Sequence, residues 1–94
     1  MIKVVAKGTY SDDKVEEVIN LYRELVAETR KEDGCISYCL FRDIKNRSIL
    51  TVIEEWESQE ALDAHMNTEH FTRIVPIVSK SRTDSQLNIY EPVM

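Results

Sequence analysis

The side chains best suited to move a proton near neutral pH are histidines, and this chain has two, His65 and His70. Both fall in the stretch WESQEALDAHMNTEHF, Trp56 to Phe71, which also holds the only tryptophan. An unperturbed imidazole titrates near pH ~6.5, so His65 is a candidate general base. A histidine on an apolar helix face is equally an ordinary hydrogen-bonded core residue, and the residues alone leave both readings open. His70 stands beside Phe71, either solvated or at the edge of a pocket. Five positions separate the histidines, which does not set both on one helical face. No HExxH run and no convergent cysteine accompany them, so the expectation is that no metal is bound.

Three more residues fall under the same question. Glu54 shares strand parity with Val52 and Trp56, so its carboxylate points where apolar side chains point. A carboxylate there needs a partner or a polar pocket wall. It is a base or substrate anchor on one reading, and a structural hydrogen-bonding group to Tyr38 or a lysine on the other. Trp56 is a core anchor or the flat wall of an aromatic pocket, and Tyr38 can face it from a neighbouring strand. No Ser-His-Asp signal or nucleophile elbow is present. With only Gly8 and Gly34, no glycine-rich phosphate cradle can be written.

The elements that must position these groups are legible. Residues 2–8, IKVVAKG, alternate as a half-buried strand. Ser11 or Asp12 can cap a helix whose apolar stripe runs Val15, Val18, Ile19, Tyr22, Leu25, Val26. Asp33-Gly34 ends it with a left-handed cap. Residues 35–43 and 48–57 read as a hairpin linked by IKNRS. On a regular strand Cys35 and Cys39 share one face about 13 Å apart, too far for a disulfide. They read as small apolar fillers rather than a redox or metal pair. Ser58 caps a short helix with Leu62, His65 and Met66 on one side. Thr68 caps another carrying Phe71, Ile74, Val75 and Val78, which Pro76 should kink or end early. SKSRTDS reads as a polar loop before a last strand at 86–91. The order strand, helix, strand, strand, helix, strand predicts a single α+β domain over 1–94: a ferredoxin-like βαββαβ fold, its four-stranded antiparallel sheet covered by helices on one face.

The hairpin is apolar on both faces. Ile36, Tyr38, Leu40, Leu50, Val52 and Trp56 alternate with Cys35, Cys39, Phe41, Ile49, Thr51 and Ile53. Helices can cover only one of these faces, which predicts a two-fold homodimer packed sheet to sheet. The net charge of −5 offers no basic cluster for phosphates, which argues against nucleic acid. Apolar runs are too short for a membrane span, and no signal-like segment is visible at the start. A cytoplasmic location is the expectation.

The runs EDGCISYCLFRD, SILTVIEEWES and QEALDAHMNTEHF resemble the antibiotic biosynthesis monooxygenase family. The match is carried by Gly34-Cys35, Tyr38, Glu54, Trp56, Glu57, Ser58, Ala61, Leu62, His65, His70 and Phe71, and the likeness extends over essentially the whole chain. The resemblance implies a dimeric α+β barrel. It implies oxidation of small electron-rich aromatics, quinols or anthrones, by dioxygen with no cofactor. On that reading His65 is the catalytic base, and Tyr38, Glu54, Trp56, His70 and Phe71 bind the substrate. Haem-degrading relatives use an Asn, a Trp and an axial His where this chain has Ala6 or Lys7, His65 and Val75, so haem is not expected. Two alternatives stand beside the oxygenase: a non-catalytic small-ligand-binding dimer, and an isomerase of a small phosphorylated signalling sugar, to which Arg42 and Arg73 are candidate contributors.

Overall fold

The computed structural model describes all 94 residues. Strand β1 (Ile2–Tyr10) leads through a 3-10 turn (Asp12–Lys14) into helix α1 (Val15–Thr29). Strands β2 (Cys35–Arg42) and β3 (Ile49–Trp56) form the hairpin; helices α2 (Gln59–Met66) and α3 (Glu69–Lys80) follow, and β4 (Arg82–Tyr90) closes the sheet. All pairings are antiparallel, in the order β2-β3-β1-β4. This is the α+β ferredoxin-like fold that the element order predicts.

The helices lie on the face carrying Val4, Tyr38, Leu50, Val52 and Trp56, all buried. Val15, Val18, Tyr22 and Leu25 of α1 meet them, with Leu62 of α2 and Ile74 and Val78 of α3. Leu25 and Trp56 are completely buried; each such side chain contributes roughly 2–3 kcal/mol by leaving water. Thr29 is buried with its hydroxyl unpartnered.

The opposite face has no helix over it. Val5, Ile53 and Cys39 form one row across three strands there, and Lys7, Thr51 and Phe41 the next. Phe41 is 51% exposed.

Local chemistry sets the junctions. The Ser58 and Thr68 hydroxyls accept from the backbone N–H of Ala61 and Phe71, capping α2 and α3 as expected. Ser11 makes no side-chain cap bond; Asp12–Lys14 forms the 3-10 turn instead. Gly34 has φ +84°, and a Cβ there would stand 2.5 Å from the Ala61 Cβ. Glycine therefore serves both the left-handed turn and its close seat on α2.

Other expectations fail as well: α1 ends at Thr29 with an αR cap at Arg30, so the left-handed Gly34 lies in the following turn rather than capping the helix. Pro76 neither ends nor shortens α3, which runs to Lys80. Ile74 and Val78, on either side of it, are almost fully buried, and that packing outweighs one lost helical hydrogen bond. The SKSRTDS loop does not exist as such: α3 runs into it and β4 starts at Arg82, pairing with Tyr10. Finally, the β2–β3 register shifts between Cys35 and Ser37. Cys35 pairs with Trp56 and Cys39 with Ile53, so the bulge turns the two thiols to opposite faces and leaves Ile36 51% exposed.

Candidate active site

The site is built where the end of β3, the α2–α3 junction and the turn after α1 meet. The alternation of β3 points Val52, Glu54 and Trp56 toward the helices. Trp56 is wholly buried, and its indole N–H donates to Glu54 Oε1 at 2.9 Å. That answers which structural partner Glu54 has: neither Tyr38 nor a lysine, but the residue two places along its own strand. Burial pushes the Glu54 carboxyl up to about 7, against the Trp56 hydrogen bond, which lowers it, and with a smaller upward push from the Glu32 charge.

His65 sits in the last turn of α2 and is 1% exposed. Its ring is enclosed by Trp56, Phe71 and Tyr38, with centroid distances of 4.7, 5.0 and 5.6 Å. The Thr68 hydroxyl donates to the His65 carbonyl at 2.7 Å, which holds the turn between the helices. His65 Nδ1 lies 2.8 Å from Glu32 Oε2, and His70 Nε2 lies 2.7 Å from the same oxygen. A carboxylate only accepts, so both of these nitrogens carry hydrogen. Neutral His65 then keeps its lone pair on Nε2. Burial lowers the His65 pKa; the Glu32 hydrogen bond and charge oppose that shift, and His70 adds to it.

Two adjacent cavities open beside these groups. The smaller, about 80 Å³, is lined by Glu54 and His65 with Val4, Leu62, Met66, Phe71, Leu87 and Ile89. The larger, about 230 Å³, has Tyr10, Tyr22, Tyr38, Val52, Glu54, Phe71, Val75, Arg82 and Leu87 in its wall. Glu54, Phe71 and Leu87 belong to both. Leu87 and Ile89 come from β4, paired with Ala6 and Val4, and are 62% and 49% exposed because the helices stop short of this edge strand. Burial raises the hydroxyl pKa of Tyr22 and Tyr38, so both remain neutral donors.

Of the residues singled out in the sequence, His65, Glu54, Tyr38 and Phe71 reach a cavity. Trp56 lines neither; wholly buried, it lies behind them as a core anchor and orients Glu54. His70 also lines neither cavity. It is not solvated, however: its side chain is 15% exposed and bound to Glu32. Five-residue spacing fails to separate the histidines because the helix break at Asn67 and Thr68 turns His70 back toward His65, ring centroids 6.4 Å apart. Arg42 and Arg73 are not in the site. Arg42 pairs with Glu16, and Arg73 with Glu24 and Glu69.

The residue that sequence reasoning misses is Glu32. In KEDG it looks like one more solvated charge before a glycine turn. The turn is fastened on both sides: Glu32 N–H donates to the Thr29 carbonyl, and Glu57 N–H donates to Gly34. Its only sequence signal is position, two residues before the left-handed glycine that presses the turn onto α2. Tyr10, Tyr22 and Arg82 are also missed. Arg82 Nε donates to the Tyr10 hydroxyl at 3.4 Å in the larger cavity.

The fold and site together define an α+β domain with ferredoxin-like topology, whose buried histidine and carboxyl group face a mostly apolar cavity. The family model "Antibiotic biosynthesis monooxygenase" matches residues 1–76. The chain belongs to that family. A solved structure described as an antibiotic biosynthesis monooxygenase is 40% identical, with TM-score 0.95 and all of both chains covered. A conserved protein from Methanosarcina mazei Go1 is 41% identical, with TM-score 0.93, over 96% of this chain and 90% of that one. The uncharacterized Synechocystis protein sll1783 is 36% identical over 63 residues, 67% of this chain but 43% of its own length. The match thus spans less than half of that relative. No helix is long and apolar enough to cross a membrane.

Proposed function

We propose that the protein is a cofactor-independent monooxygenase that oxidises a small electron-rich aromatic, quinol- or anthrone-like, with dioxygen. The observation that carries this reading is the Glu32–His65 pair. A buried imidazole is held at Nδ1 by a carboxylate, and its ring faces a cavity shared with Glu54 and Phe71.

Neutral His65 accepts a substrate proton at Nε2, and the charge on Glu32 stabilises the imidazolium that forms. For an anthrone-like CH₂ group, the resulting carbanion transfers electrons to dioxygen and a carbon–oxygen bond forms. The peroxide is protonated; its O–O bond breaks as the second ring proton leaves, giving a new carbonyl and one water. One oxygen atom ends in the product and the other in that water. Glu54, poised near neutral pH, can accept or return a proton beside the same space. Tyr38 and Phe71 bound the cavity in which the substrate ring is held. The mostly apolar walls lower the polarity around the anion on the helix side of the cavity.

The uncovered sheet face supports a homodimer as the working unit, because the row Val5–Ile53–Cys39 leaves apolar surface that a second copy would bury. Both cysteines are free, which suits a reducing, cytoplasmic setting. Arg82 favours a second reading: a cation in the larger cavity suits a phosphorylated substrate and hence an isomerase. Competition by inorganic phosphate would favour it.

Oxygen uptake with a panel of quinols and anthrones tests the oxygenase. His65→Ala should slow uptake by about 10²–10⁴-fold, the usual worth of a general base. Equal rates for the two proteins would remove His65 from the chemistry, and no uptake with any wild-type pairing would leave a ligand-binding dimer.

A further inference from the structure

We propose that Glu32, His65 and His70 form a binding site for a divalent transition-metal cation, with zinc as the best match. Glu32, His65 and His70 each offer one ligand atom, all within 4.8 Å of one another, and come from three separate elements: the turn after α1, the end of α2 and the start of α3. Two imidazoles and one carboxylate are the donor set of zinc sites that keep a position open. Imidazole nitrogen also favours zinc, copper and nickel over magnesium or calcium.

Two of the three ligand separations are close to what an ion needs, and the third, between the imidazole nitrogens, is held within 4.8 Å. Bonds of about 2.0–2.1 Å at tetrahedral angles set ligand atoms roughly 3.3 Å apart. The carboxylate oxygen now stands 2.8 and 2.7 Å from the two nitrogens, bridged by hydrogen. Moving each contact outward by about half an ångström replaces two N–H bridges with an ion. The ligands are sheltered yet reachable: side-chain exposure is 2% for His65, 12% for Glu32 and 15% for His70. Solvent reaches the group at Glu32 and His70 rather than at His65. The Thr68 hydroxyl on the His65 carbonyl and the Gly34 seat against Ala61 hold two of the three ligands in place from behind.

No imidazole proton need be lost on binding. Each neutral ring moves its hydrogen to the other nitrogen and offers the freed lone pair to the ion. For His65 this puts the hydrogen on Nε2, so a bound cation disables it as a proton acceptor. That consequence, zinc inhibition, rests on the proposed oxygenase reading; the binding itself does not.

The test uses the whole protein, stripped with chelator and titrated with zinc chloride by calorimetry. One ion per chain is expected, with affinity falling by about a hundredfold or more in His70→Ala, since loss of a ligand should cost at least as much as loss of a supporting contact. In unaltered protein, NMR resolves the two imidazoles, and both should shift with zinc at the same stoichiometry; this arm decides the matter if the variant fails to fold. Absence of stoichiometric uptake, unweakened binding by a folded His70→Ala, or shifts confined to one ring would overturn the site. Half-inhibition of oxygen uptake should match the zinc affinity. Zinc that binds without slowing uptake would leave the site standing and sink the role of His65 as base.

Discussion

Replacing Glu54 with glutamine should change how stability depends on pH. The ordinary carboxyl value of 4.5 rises to about 7 in the folded chain, chiefly through burial. Between those values the folded state holds a proton that the unfolded chain has released. Unfolding then gives up a proton, so stability falls as pH rises. The contribution is fully present below 4.5 and is lost as pH climbs through about 7. The difference, 7 − 4.5, corresponds to about 3 kcal/mol at 1.36 kcal/mol per pH unit. In a domain of this size that is roughly 12–24 °C in Tm. Glutamine keeps a carbonyl oxygen for the Trp56 N–H and cannot ionise. The variant minus wild-type stability should therefore grow by about 2.5 kcal/mol between pH ~5 and pH ~8, most of the full shift.

His65 acts in the opposite sense. Its pKa is lowered by burial, so the folded state binds protons less readily than the unfolded chain, and stability is lost as pH falls below the ordinary histidine value. That contribution is common to both proteins and cancels in their difference. Urea unfolding, followed by the single tryptophan at a fixed protein concentration, measures the difference at each pH. Any offset that does not vary with pH reports packing and is irrelevant. Parallel stability curves for the two proteins would refute the assignment of Glu54 as a buried carboxyl poised near neutrality.

The remaining predictions concern the turn and the sheet. Gly34→Ala should cost about 1–3 kcal/mol from the left-handed backbone alone, with more from the 2.5 Å approach to Ala61. It should lower the urea midpoint at unchanged slope; an unmoved midpoint would show that the turn relaxes freely. Ile53→Lys puts a charge into the Val5–Ile53–Cys39 row and should convert a dimer to a monomer by light scattering at micromolar concentration. A wild-type chain that is already monomeric there would contradict the dimer.

What could be read in the sequence follows from the range of the interactions involved. The β1 and β3 alternation, the α1 stripe and the Ser58 and Thr68 caps are local, and they appear where their patterns put them. The Ser58 cap and the stripe it starts, with Leu62, send His65 inward. Pro76 reads as a helix breaker because nothing local offsets its penalty, whereas in the fold Ile74 and Val78 anchor the turns on either side. The cysteine faces depart from strand parity for a related reason. A single bulge inverts every parity upstream of it, and nothing in CIS announces the extra residue that leaves Cys35 opposite Trp56.

Glu32 marks the limit of such reading. Its partners lie 33 and 38 positions away, and nothing in KEDG distinguishes a carboxylate that gathers two imidazoles from one that faces water. What fixes it is a chain of steric facts. Gly34 adopts a positive φ, the missing Cβ lets the turn press on Ala61, and the Ser58 cap sets where α2 begins and so where Ala61 and His65 stand. Each link is legible by itself; their product is not, because it depends on the distance between two elements that only the closed sheet determines. The residue that tunes His65 is therefore found only after the fold is known. Glu32→Gln is accordingly a sharper probe of the site than further changes in the conspicuous Trp56–Phe71 stretch.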